Sequence, residues 1–410
     1  MNDPNYIPFS PSSSYPARPG NRVRPLICGN EMFGRIGEVV DAARHNIFVT
    51  VAFYADDFRF PDDRGALFDA LDRAVARGVD VRLLVWRPNP EAGHRSTMFR
   101  GNAEQRAWLA ARDTQVKLRW DRAPGLYCHH QKSWLIDAGQ PSETAFVGGA
   151  NISAGAFRHQ DIYVEVTGPS ASDVHRNFVQ RWNAASERAE ADGSWACDAA
   201  DDLSMPTVSA APCGSSIVQI VRMLPATGER SVLEQYRLAV DAARRTIYLE
   251  NQAIPIMDVA EPLLRAMERG VEVILLVPSV PEKYVFDARL DPAARPRFAG
   301  VEALAGHPNF LMVGLGPATY VHAKAMVVDD SWATIGSCNL HAFSLNGHSE
   351  MNAAIWDPEV AGAFRRRLFA RHLGTDVAGL DDRSAFALYR QAANEGRALQ
   401  VLDPFRYGVT

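Results

Sequence analysis

Short runs of consecutive apolar residues alternate along the chain with longer segments in which apolar residues recur at every fourth position. Leu67, Leu71 and Val75 have this spacing, which predicts an amphipathic helix. Gly78 follows them and is the predicted end of the helix, because glycine readily adopts the left-handed conformation found there. The run from Val81 to Trp86 then predicts a buried strand.

Polar residues at the helix starts support the same plan in both halves of the chain. Asp62 or Asp63 can cap the first helix, and Asp258 with Glu261 resembles a capping box before a second amphipathic segment that Gly270 ends. The intervening strands are apolar at nearly every position, so both faces of their sheets need covering. The pattern therefore predicts an α/β fold in which helices flank the sheets.

Several segments of the first half recur in the same order in the second half. The sequence Asp-Ala-Ala-Arg occupies residues 41–44 and again residues 241–244, each time before an apolar run. Arg77–Val85 likewise resembles Arg269–Val277. Such ordered internal similarity indicates two structurally similar halves.

The composition between these repeats suggests where the domains end. Residues 197–216 contain Asp, Pro, Ser, Ala and Gly without periodicity, which is typical of a linker. The first residues are rich in Pro, Ser and Asn. We therefore predict a flexible N-terminal arm at 1–24, a first domain at 25–196, a linker at 197–216 and a second domain at 217–410.

Length and charge restrict the class of protein further. A chain of 410 residues with 47% hydrophobic and 22% charged residues is long enough for two globular cores. Its formal net charge of −5 gives no support to a general nucleic-acid binder, for which a basic domain is expected. The sequence has no apolar segment of membrane-spanning length and no signal peptide, so we expect a cytoplasmic or peripheral membrane protein. Export without a cleaved signal stays open.

One short pattern carries the candidate chemistry: histidine, any residue, lysine, and then aspartate after four further residues. It occurs twice, at His130, Lys132 and Asp137 and at His322, Lys324 and Asp329. The apolar residues before each aspartate predict a strand, on which alternation places the histidine and the lysine on one face. An imidazole and an ammonium group therefore point at the same spot in each half, which favours a catalytic role over a structural one.

A glycine-rich turn and an acidic residue follow each copy of the motif. The turns are Gly148-Gly149-Ala150-Asn151 and Gly336-Ser337-Cys338-Asn339, and the acidic residues are Asp161 and Glu350. Glycines allow backbone to approach a ligand closely, and an asparagine amide can donate to a phosphate oxygen. A carboxylate at this place could hold a histidine ring in one tautomer and favour its charged form.

Together these motifs resemble the phospholipase D superfamily, and the resemblance extends from about Pro25 to Gly374. Glu250-Asn251-Gln252 and the run from Val321 to Glu350 look like lipid-active phospholipase D enzymes. The segment from Gly29 to Trp86 is more similar to the cardiolipin-synthase branch. The sequence departs from that branch because it lacks the hydrophobic N-terminal membrane segment.

The resemblance implies a fold and a mechanism. We expect two similar phospholipase D-like α-β-α sandwich domains with mixed, largely parallel sheets flanked by helices, and one active site at their interface. His130 is then the nucleophile that forms a covalent phosphohistidine, and His322 is the acid that protonates the leaving alcohol. His322 would afterwards activate water or an acceptor alcohol. No metal and no other cofactor is required.

The remaining motif residues also receive roles from the resemblance. The residues expected to hold the phosphate oxygens are Lys132, Lys324, Asn151 and Asn339. Asp161 and Glu350 are expected to orient the two catalytic imidazoles. Asp137 and Asp329 are expected to be structural, with partners across the domain interface.

The sequence leaves the class of the substrate open. The first hypothesis is a phospholipase D that hydrolyses phospholipid head groups or transfers the phosphatidyl group to an alcohol, and a cardiolipin-synthase-like phosphatidyltransferase is a variant of it. It predicts a monomer that works on phospholipid at a membrane surface. Its support includes candidate apolar rim loops, which can enter a lipid interface. These loops are Tyr54 to Phe60, Pro124 to Tyr127, Tyr284 to Phe286 and Phe343 to Leu345.

Two further hypotheses compete with lipid chemistry. A nuclease-type phosphodiesterase would need a basic track along the cleft, for which Arg95, Arg100, Arg106 and Arg112 are the candidates. The acidic overall balance weakens this hypothesis. A binding protein with an inactive site is disfavoured, because both copies of the motif are intact.

Overall fold

A computed structural model describes residues 6–90, 99–187 and 193–409. The strands of the first half are β1 (Arg18–Ile27), β2 (Asn46–Val51), β3 (Arg59–Phe60), β4 (Gly65–Ala66), β5 (Asp80–Trp86), β6 (Lys117–Asp121), β7 (Ser133–Ile136), β8 (Thr144–Gly148), β9 (His159–Gln160), β10 (Ile162–Thr167) and β11 (Ser194–Trp195). Its helices are α1 (Gly29–Ala42), α2 (Leu67–Ala76), α3 (Ala103–Arg112) and α4 (Ala171–Glu187).

The second half has a matching series. Its strands are β12 (Ser216–Leu224), β13 (Glu229–Arg230), β14 (Thr246–Asn251), β15 (Glu272–Leu276), β16 (Phe310–Leu315), β17 (Tyr320–Val321), β18 (Lys324–Val328), β19 (Trp332–Gly336), β20 (Glu350–Trp356) and β21 (Leu399–Val401). Its helices are α5 (Ser231–Ala242), α6 (Met257–Glu268), α7 (Lys283–Leu290), α8 (Ala299–Leu304), α9 (Ala342–Asn346), α10 (Pro358–Leu373) and α11 (Asp382–Asn394).

The two halves have the same sheet topology. Following the pairings, the first sheet has the order β1-β10-β8-β7-β2-β5-β6-β11. The second has the order β12-β20-β19-β18-β14-β15-β16-β21. Strands β1 and β12 pair antiparallel at the seam, so the two sheets are continuous. The predicted α/β fold and its internal duplication are confirmed.

The expectation that the sheets are largely parallel is wrong. Among the strands that the structure describes within each half, the parallel pairs are β2 with β5 and β5 with β6, or their counterparts β14 with β15 and β15 with β16. The strand that follows the His-x-Lys pattern, β7 or β18, runs antiparallel to both of its neighbours. It does so because a short connection without a crossover helix joins it to the next strand.

Three apolar clusters cover the sheets. One belongs to the first half and includes Phe33 of α1 and Leu71 of α2; a second belongs to the second half and includes Leu263 of α6. The third contains residues of both halves, among them Phe178 of α4 and Phe364 of α10. Helices thus cover both faces of each sheet, as an α-β-α sandwich requires.

The predicted C-terminal ends of the helices agree with the structure better than their predicted N-terminal starts do. Gly78 and Gly270 follow α2 and α6 with φ values of 84° and 89°, as expected. Asp62 and Asp63 do not cap α2, because they form the turn between β3 and β4 with φ values of 58° and 57°. Asp258 lies in the first turn of α6 and does not occupy its cap position.

The predicted domain boundaries stay a prediction. The structure does define contacts of the described part of the N-terminal arm and of the linker. Within the N-terminal arm, Ile7 is buried in the apolar cluster of the second half. The backbone N–H of Ser10 donates to the side-chain oxygens of Gln219 and Gln235 at 3.0 and 2.8 Å. In the linker, the backbone N–H of Cys213 donates to a carbonyl in the first half at 2.8 Å. These segments therefore lie against the sheets.

Candidate active site

The aspartate that closes each motif fixes the start of a neighbouring strand. The Asp137 carboxylate accepts the backbone N–H groups of Arg44 and His45 at 2.9 and 2.8 Å, just before β2. Asp329 accepts three backbone N–H groups at the start of β14, at 2.8 Å each. Both aspartates have positive φ, a conformation that aspartate tolerates better than most residues. Their partners lie in the same half, so the expected contacts across the domain interface are wrong.

The glycines after each motif make room for a neighbouring strand. A Cβ atom on Gly149 would lie 2.6 Å from Asp161 Oδ1, and one on Gly336 would lie 2.2 Å from Asn352 Oδ1. Both distances are shorter than van der Waals contact, so an added side chain would push the Asp161 carboxylate or the Asn352 amide aside. These glycines therefore have a packing role, and their expected role in approaching a ligand stays a prediction.

The two motif histidines pair with carboxylates from opposite halves. His130 Nδ1 lies 3.0 and 2.9 Å from the two carboxylate oxygens of Glu350, and His322 Nδ1 lies 2.6 Å from Asp161 Oδ2. All four side chains are buried. Because Nδ1 faces the carboxylate, the Nε2 atom of each imidazole is the one that can face a reacting phosphorus.

Backbone contacts hold the same crossed arrangement. His130 N–H donates to Ser349 O at 2.9 Å, and His322 N–H donates to Gln160 O at 2.8 Å. Ser349 and Gln160 each come directly before the carboxylate residue that pairs with that histidine. Strands β9 and β17 also pair across the halves. The interface is thus anchored next to each histidine in the same way.

Both lysines lie behind the histidines and are almost completely buried. Lys132 Nζ donates to His130 O at 2.8 Å, and Lys324 Nζ donates to Gln252 Oε1 at 2.9 Å. Burial lowers the pKa of Lys132 to about 7 and that of Lys324 to about 8. The ammonium groups therefore lose their protons far more easily than exposed lysines do.

The two histidine–carboxylate pairs differ in their proton affinities. Burial and then the charge of Lys132 hold the pKa of His130 well below its usual value. Burial and Lys324 lower the pKa of His322 to about 4, while Asp161 opposes them. Burial acts to raise the pKa of Asp161, but His322 outweighs it and the net pKa is lowered, whereas burial raises the pKa of Glu350. Ionised Asp161 therefore supports a proton on His322 more strongly than Glu350 supports one on His130.

Both histidines line one cavity of about 590 Å³ between the halves. Asn151 and Asn339 line it as well, and their side-chain oxygens are buried without a hydrogen-bond partner among the described residues. The structure thus brings together the histidines, asparagines and carboxylates that the sequence predicted. The further residues of the wall that the sequence analysis did not assign include Glu282, Arg297, His341 and His348.

Two histidines beside the catalytic imidazoles, of which His348 lines the cavity, had a signal in the sequence. His159 and His348 both stand two residues before the acidic residue of their half. His159 stacks on His322 with ring centroids 5.5 Å apart, and the His348 ring lies 5.8 Å from that of His130. The repeated His-x-acid spacing could have revealed them. Arg297 has no counterpart motif, and only the fold brings it to the cavity.

A second, apolar cavity of about 200 Å³ adjoins the first. Its own lining includes Ile254, Val285 and Phe298, and it shares Tyr284 and Phe343 with the catalytic cavity. An apolar chain attached to a group in the catalytic cavity can therefore continue into this pocket.

Some of the predicted rim loops are exposed beside these cavities. Leu126, Tyr284 and Phe343 are 57%, 45% and 37% exposed. In contrast, Tyr54 and Phe60 are each 4% exposed and Phe58 is also buried, so the aromatic side chains of this loop belong to the core and form no apolar rim.

The arginines of the predicted nucleic-acid track do not line the catalytic cavity in the part of the chain that the structure describes. Arg106 donates to Ser194 O at 2.9 Å, and Arg112 pairs with Asp69 and Asp72. Arg95 lies outside the described residues.

Residues 6–90, 99–187 and 193–409 contain no group of three or more histidine, cysteine, aspartate or glutamate side chains that could hold a metal ion. None of their helices combines the length and the apolar character needed to cross a membrane.

Comparison with known proteins adds to this geometry. Residues 37–182 and 237–372 match the family model described as cardiolipin synthase, PLD-like domain. The cardiolipin synthase of Listeria monocytogenes serotype 4a (strain HCC23) is 24% identical over 352 residues, which are 83% of this chain and 66% of that protein. Cardiolipin synthase 1 of Staphylococcus epidermidis is 23% identical over 359 residues, 84% of this chain and 66% of that protein. The chain thus spans 66% of the length of these curated relatives.

Two solved structures have a similar fold. Phosphatidylserine synthase from Haemophilus influenzae Rd KW20 superimposes with a TM-score of 0.58 at 16% identity, over 98% of this chain and 91% of that one. Polyphosphate kinase from Porphyromonas gingivalis gives 0.51 at 14% identity, over 91% of this chain and 55% of that one. At these identities the similarity concerns the fold alone.

Proposed function

Because the chain belongs to the phospholipase D superfamily, we propose that it is a phosphatidyltransferase of the cardiolipin-synthase type. The observation that carries the proposal is the single cavity that both motif histidines line, with an apolar pocket beside it. Such a cavity can hold a phosphodiester between two imidazoles and an acyl or glyceryl part in the pocket. The named relatives, which are cardiolipin synthases, favour transfer to an alcohol over hydrolysis.

In the first step, His130 Nε2 attacks phosphorus and the bond from phosphorus to the leaving oxygen breaks. His322 gives its Nε2 proton to that oxygen, so the alcohol leaves neutral. The product is a phosphatidyl group bound covalently to His130. Lys132 and Lys324 supply positive charge near the non-bridging oxygens, and the amides of Asn151 and Asn339 donate to them.

In the second step, the acceptor alcohol gives its proton to His322 as its oxygen attacks phosphorus. The phosphorus–nitrogen bond to His130 breaks, and the transferred lipid leaves. The histidine that took part as acid is then protonated again and ready for the next cycle. Water in place of the alcohol would give hydrolysis by the same sequence of bonds.

The difference between the two carboxylates supports this division of labour. Asp161 has a lowered pKa, so it stays ionised and stabilises the imidazolium that His322 forms as an acid, against the burial and the Lys324 charge that lower the pKa of His322 to about 4. The raised pKa of Glu350 gives less support to a charged His130, and a neutral imidazole is the nucleophilic form. We therefore keep His130 as nucleophile and His322 as acid.

The experiment incubates the full chain with phosphatidylglycerol vesicles and, separately, with single-stranded DNA. Cardiolipin consists of two phosphatidyl groups joined by glycerol, so phosphatidylglycerol can serve as both donor and acceptor. We expect cardiolipin and free glycerol, detected by mass spectrometry. Cleavage of DNA without any lipid product would replace the proposal by the nuclease hypothesis.

Variants test the shared site and the roles within it. His130→Ala and His322→Ala should each lower turnover by about 10² to 10⁴, whereas His45→Ala, which removes an exposed imidazole, should not. A phosphatidyl ester of p-nitrophenol needs no protonation of its leaving group, so His322→Ala should form the adduct on His130 with this substrate. An adduct on His322 in the His130→Ala variant would reverse the assignment.

A further inference from the structure

The catalytic cavity carries a carboxylate that the proposed chemistry does not use. Glu282 lines the cavity, and its Oε1 accepts from Gln252 Nε2 at 2.9 Å and from the Tyr320 hydroxyl at 3.1 Å. Both donors hold the same oxygen. Oε2 is thus the atom that a ligand in the cavity can use.

This carboxylate belongs to the end of the cavity that contains His322. Gln252, which donates to Glu282, accepts from Lys324 Nζ at 2.9 Å through its other amide atom. Tyr320 precedes His322 by two residues, and the two ring centroids lie 6.4 Å apart. A chain of hydrogen bonds therefore fixes Glu282 relative to the imidazole that would handle the alcohol.

The other end of the cavity offers donors. His348 Nδ1 accepts the backbone N–H of Cys128 at 3.0 Å, and His341 Nδ1 accepts that of Ser344 at 3.2 Å. A neutral imidazole that accepts at Nδ1 must carry its proton on Nε2. Burial lowers the pKa of both histidines, that of His348 to about 3, so both stay neutral donors. The Arg297 guanidinium lies 5.8 Å from the centroid of the Phe343 ring, and that ring stacks on His348 with centroids 5.8 Å apart, so Arg297 belongs to the same end.

The cavity is therefore polarised, with an acceptor at the His322 end and donors at the end of His341, His348 and Arg297. An anionic group is favoured at the donor end and repelled at the carboxylate end. A group with its own N–H or O–H donors is favoured beside Glu282. These preferences apply to the alcohol, because the proposed mechanism places the alcohol next to His322.

We propose that Glu282, held by Gln252 and Tyr320, recognises the acceptor alcohol and selects a polyol or an amino alcohol. One hydroxyl of the acceptor gives its proton to His322 and attacks phosphorus, and the bond to His130 breaks. A second hydroxyl or an ammonium group donates to the Glu282 carboxylate. This inference rests on the proposed function, and it adds the class of the acceptor.

The test measures phosphatidyl transfer from phosphatidylglycerol vesicles, the donor of the proposed function, to isotope-labelled glycerol and to ethanolamine, ethanol and L-serine. Ethanol has no second donor, so it reports transfer without recognition by Glu282. In the wild type we expect glycerol and ethanolamine to exceed ethanol in kcat/KM, and serine, which carries a carboxylate, to lag behind ethanolamine. In Glu282→Ala the ratio of glycerol to ethanol should fall roughly tenfold, as expected when a charge-assisted hydrogen bond is lost.

Two further variants complete the test. One removes the charge of Glu282 and keeps the shape of its side chain, and the other is a control. Glu282→Gln keeps a hydrogen-bond acceptor without the charge, so it should lower the ethanolamine-to-ethanol ratio more than the glycerol-to-ethanol ratio. It should also narrow the gap between ethanolamine and serine. Asp287→Asn removes an exposed carboxylate of the following helix that pairs with Lys283. This control should leave every ratio unchanged.

The outcomes distinguish the inference from the function on which it rests. Equal acceptor ratios in the wild type and in Glu282→Ala would overturn the role of Glu282 while transfer itself stands. The same conclusion would follow if Asp287→Asn changed the ratios as much as Glu282→Ala. Absence of transfer to all four alcohols by the wild type would instead overturn the proposed phosphatidyltransferase.

Discussion

At the scale of single residues, the site combines groups that each half supplies to the other. His322 lies beside Asp161 and His130 beside Glu350, although Asp161 is much closer to His130 in the sequence. The residue types and spacings were enough to predict that these four side chains form a site. They could not predict the crossed pairing, because a repeated motif does not say how its two copies face each other. Glu282 was missed for a different reason, because it belongs to no repeated pattern.

The buried lysines predict a pH dependence. The pKa of Lys132 is about 7 and that of Lys324 about 8, and in both cases burial is the main cause. As the pH rises through these values the ammonium charges near the phosphate are lost, so kcat/KM, which reports on the free enzyme, should fall. The measurement is kcat/KM for phosphatidyl transfer between pH 5 and pH 10.

Lys132→Arg provides the check on this prediction. Arginine stays charged throughout this range, so the variant should lose the part of the alkaline decline that belongs to Lys132 and keep the part that belongs to Lys324. An unchanged profile in this variant would show that another group causes the decline. Its overall rate is expected to be lower, because a guanidinium does not fit the site of an ammonium group.

At the scale of elements, the sequence predicted which strands and helices exist better than where they begin. Periodicity located α2 and α6, and glycines with positive φ marked their ends. The start of α2 was misplaced because Asp62 and Asp63 resemble caps but form a hairpin turn. The order of apolar strands also could not reveal that the motif strands are antiparallel, since buried strands of both kinds are apolar at most positions.

The contact between Gly149, which follows β8, and Asp161, which precedes β10, gives a prediction for Gly149→Ala. The new Cβ atom would lie 2.6 Å from Asp161 Oδ1, so the carboxylate that holds His322 must move. We expect a loss of about 1 to 3 kcal/mol in the free energy of unfolding, typical of overpacking, together with a larger loss of turnover. Urea unfolding and kcat measure the two effects.

Gly34→Ala is the matched control for this substitution. Gly34 lies within α1. Among the described residues, a Cβ atom added there would come within 4 Å of no heavy atom outside its chain neighbours and the adjoining backbone of the helix. Alanine is favoured over glycine inside a helix by roughly 0.5 to 1 kcal/mol, so stability should stay the same or increase. If Gly149→Ala behaved like Gly34→Ala, the packing role of Gly149 would be wrong.

At the scale of the whole molecule, the two similar halves that the sequence predicted form one structural unit. A shared apolar cluster and the pairing of β1 with β12 connect the halves. The repeats predicted two similar α/β units. They did not predict the shared core, because the outer apolar positions of each repeat could equally have been covered within its own half.

The shared core predicts a single cooperative unfolding transition. Each half separated from the other would expose the residues of the common cluster, so partial unfolding is costly. Urea unfolding followed by circular dichroism and by tryptophan fluorescence should give the same midpoint. Two separate transitions would mean that the halves are stable alone, in the manner of independent domains.

The crossed histidine–carboxylate pairs also bear on how such a chain can change during evolution. A substitution at position 161 acts on the histidine of the other copy, so compensation for it must arise at 322 and not within the same repeat. The two repeats can therefore drift apart in sequence while each remains indispensable to the other. In a lineage of these proteins, positions 161 and 322, and likewise 130 and 350, should be inherited as linked pairs.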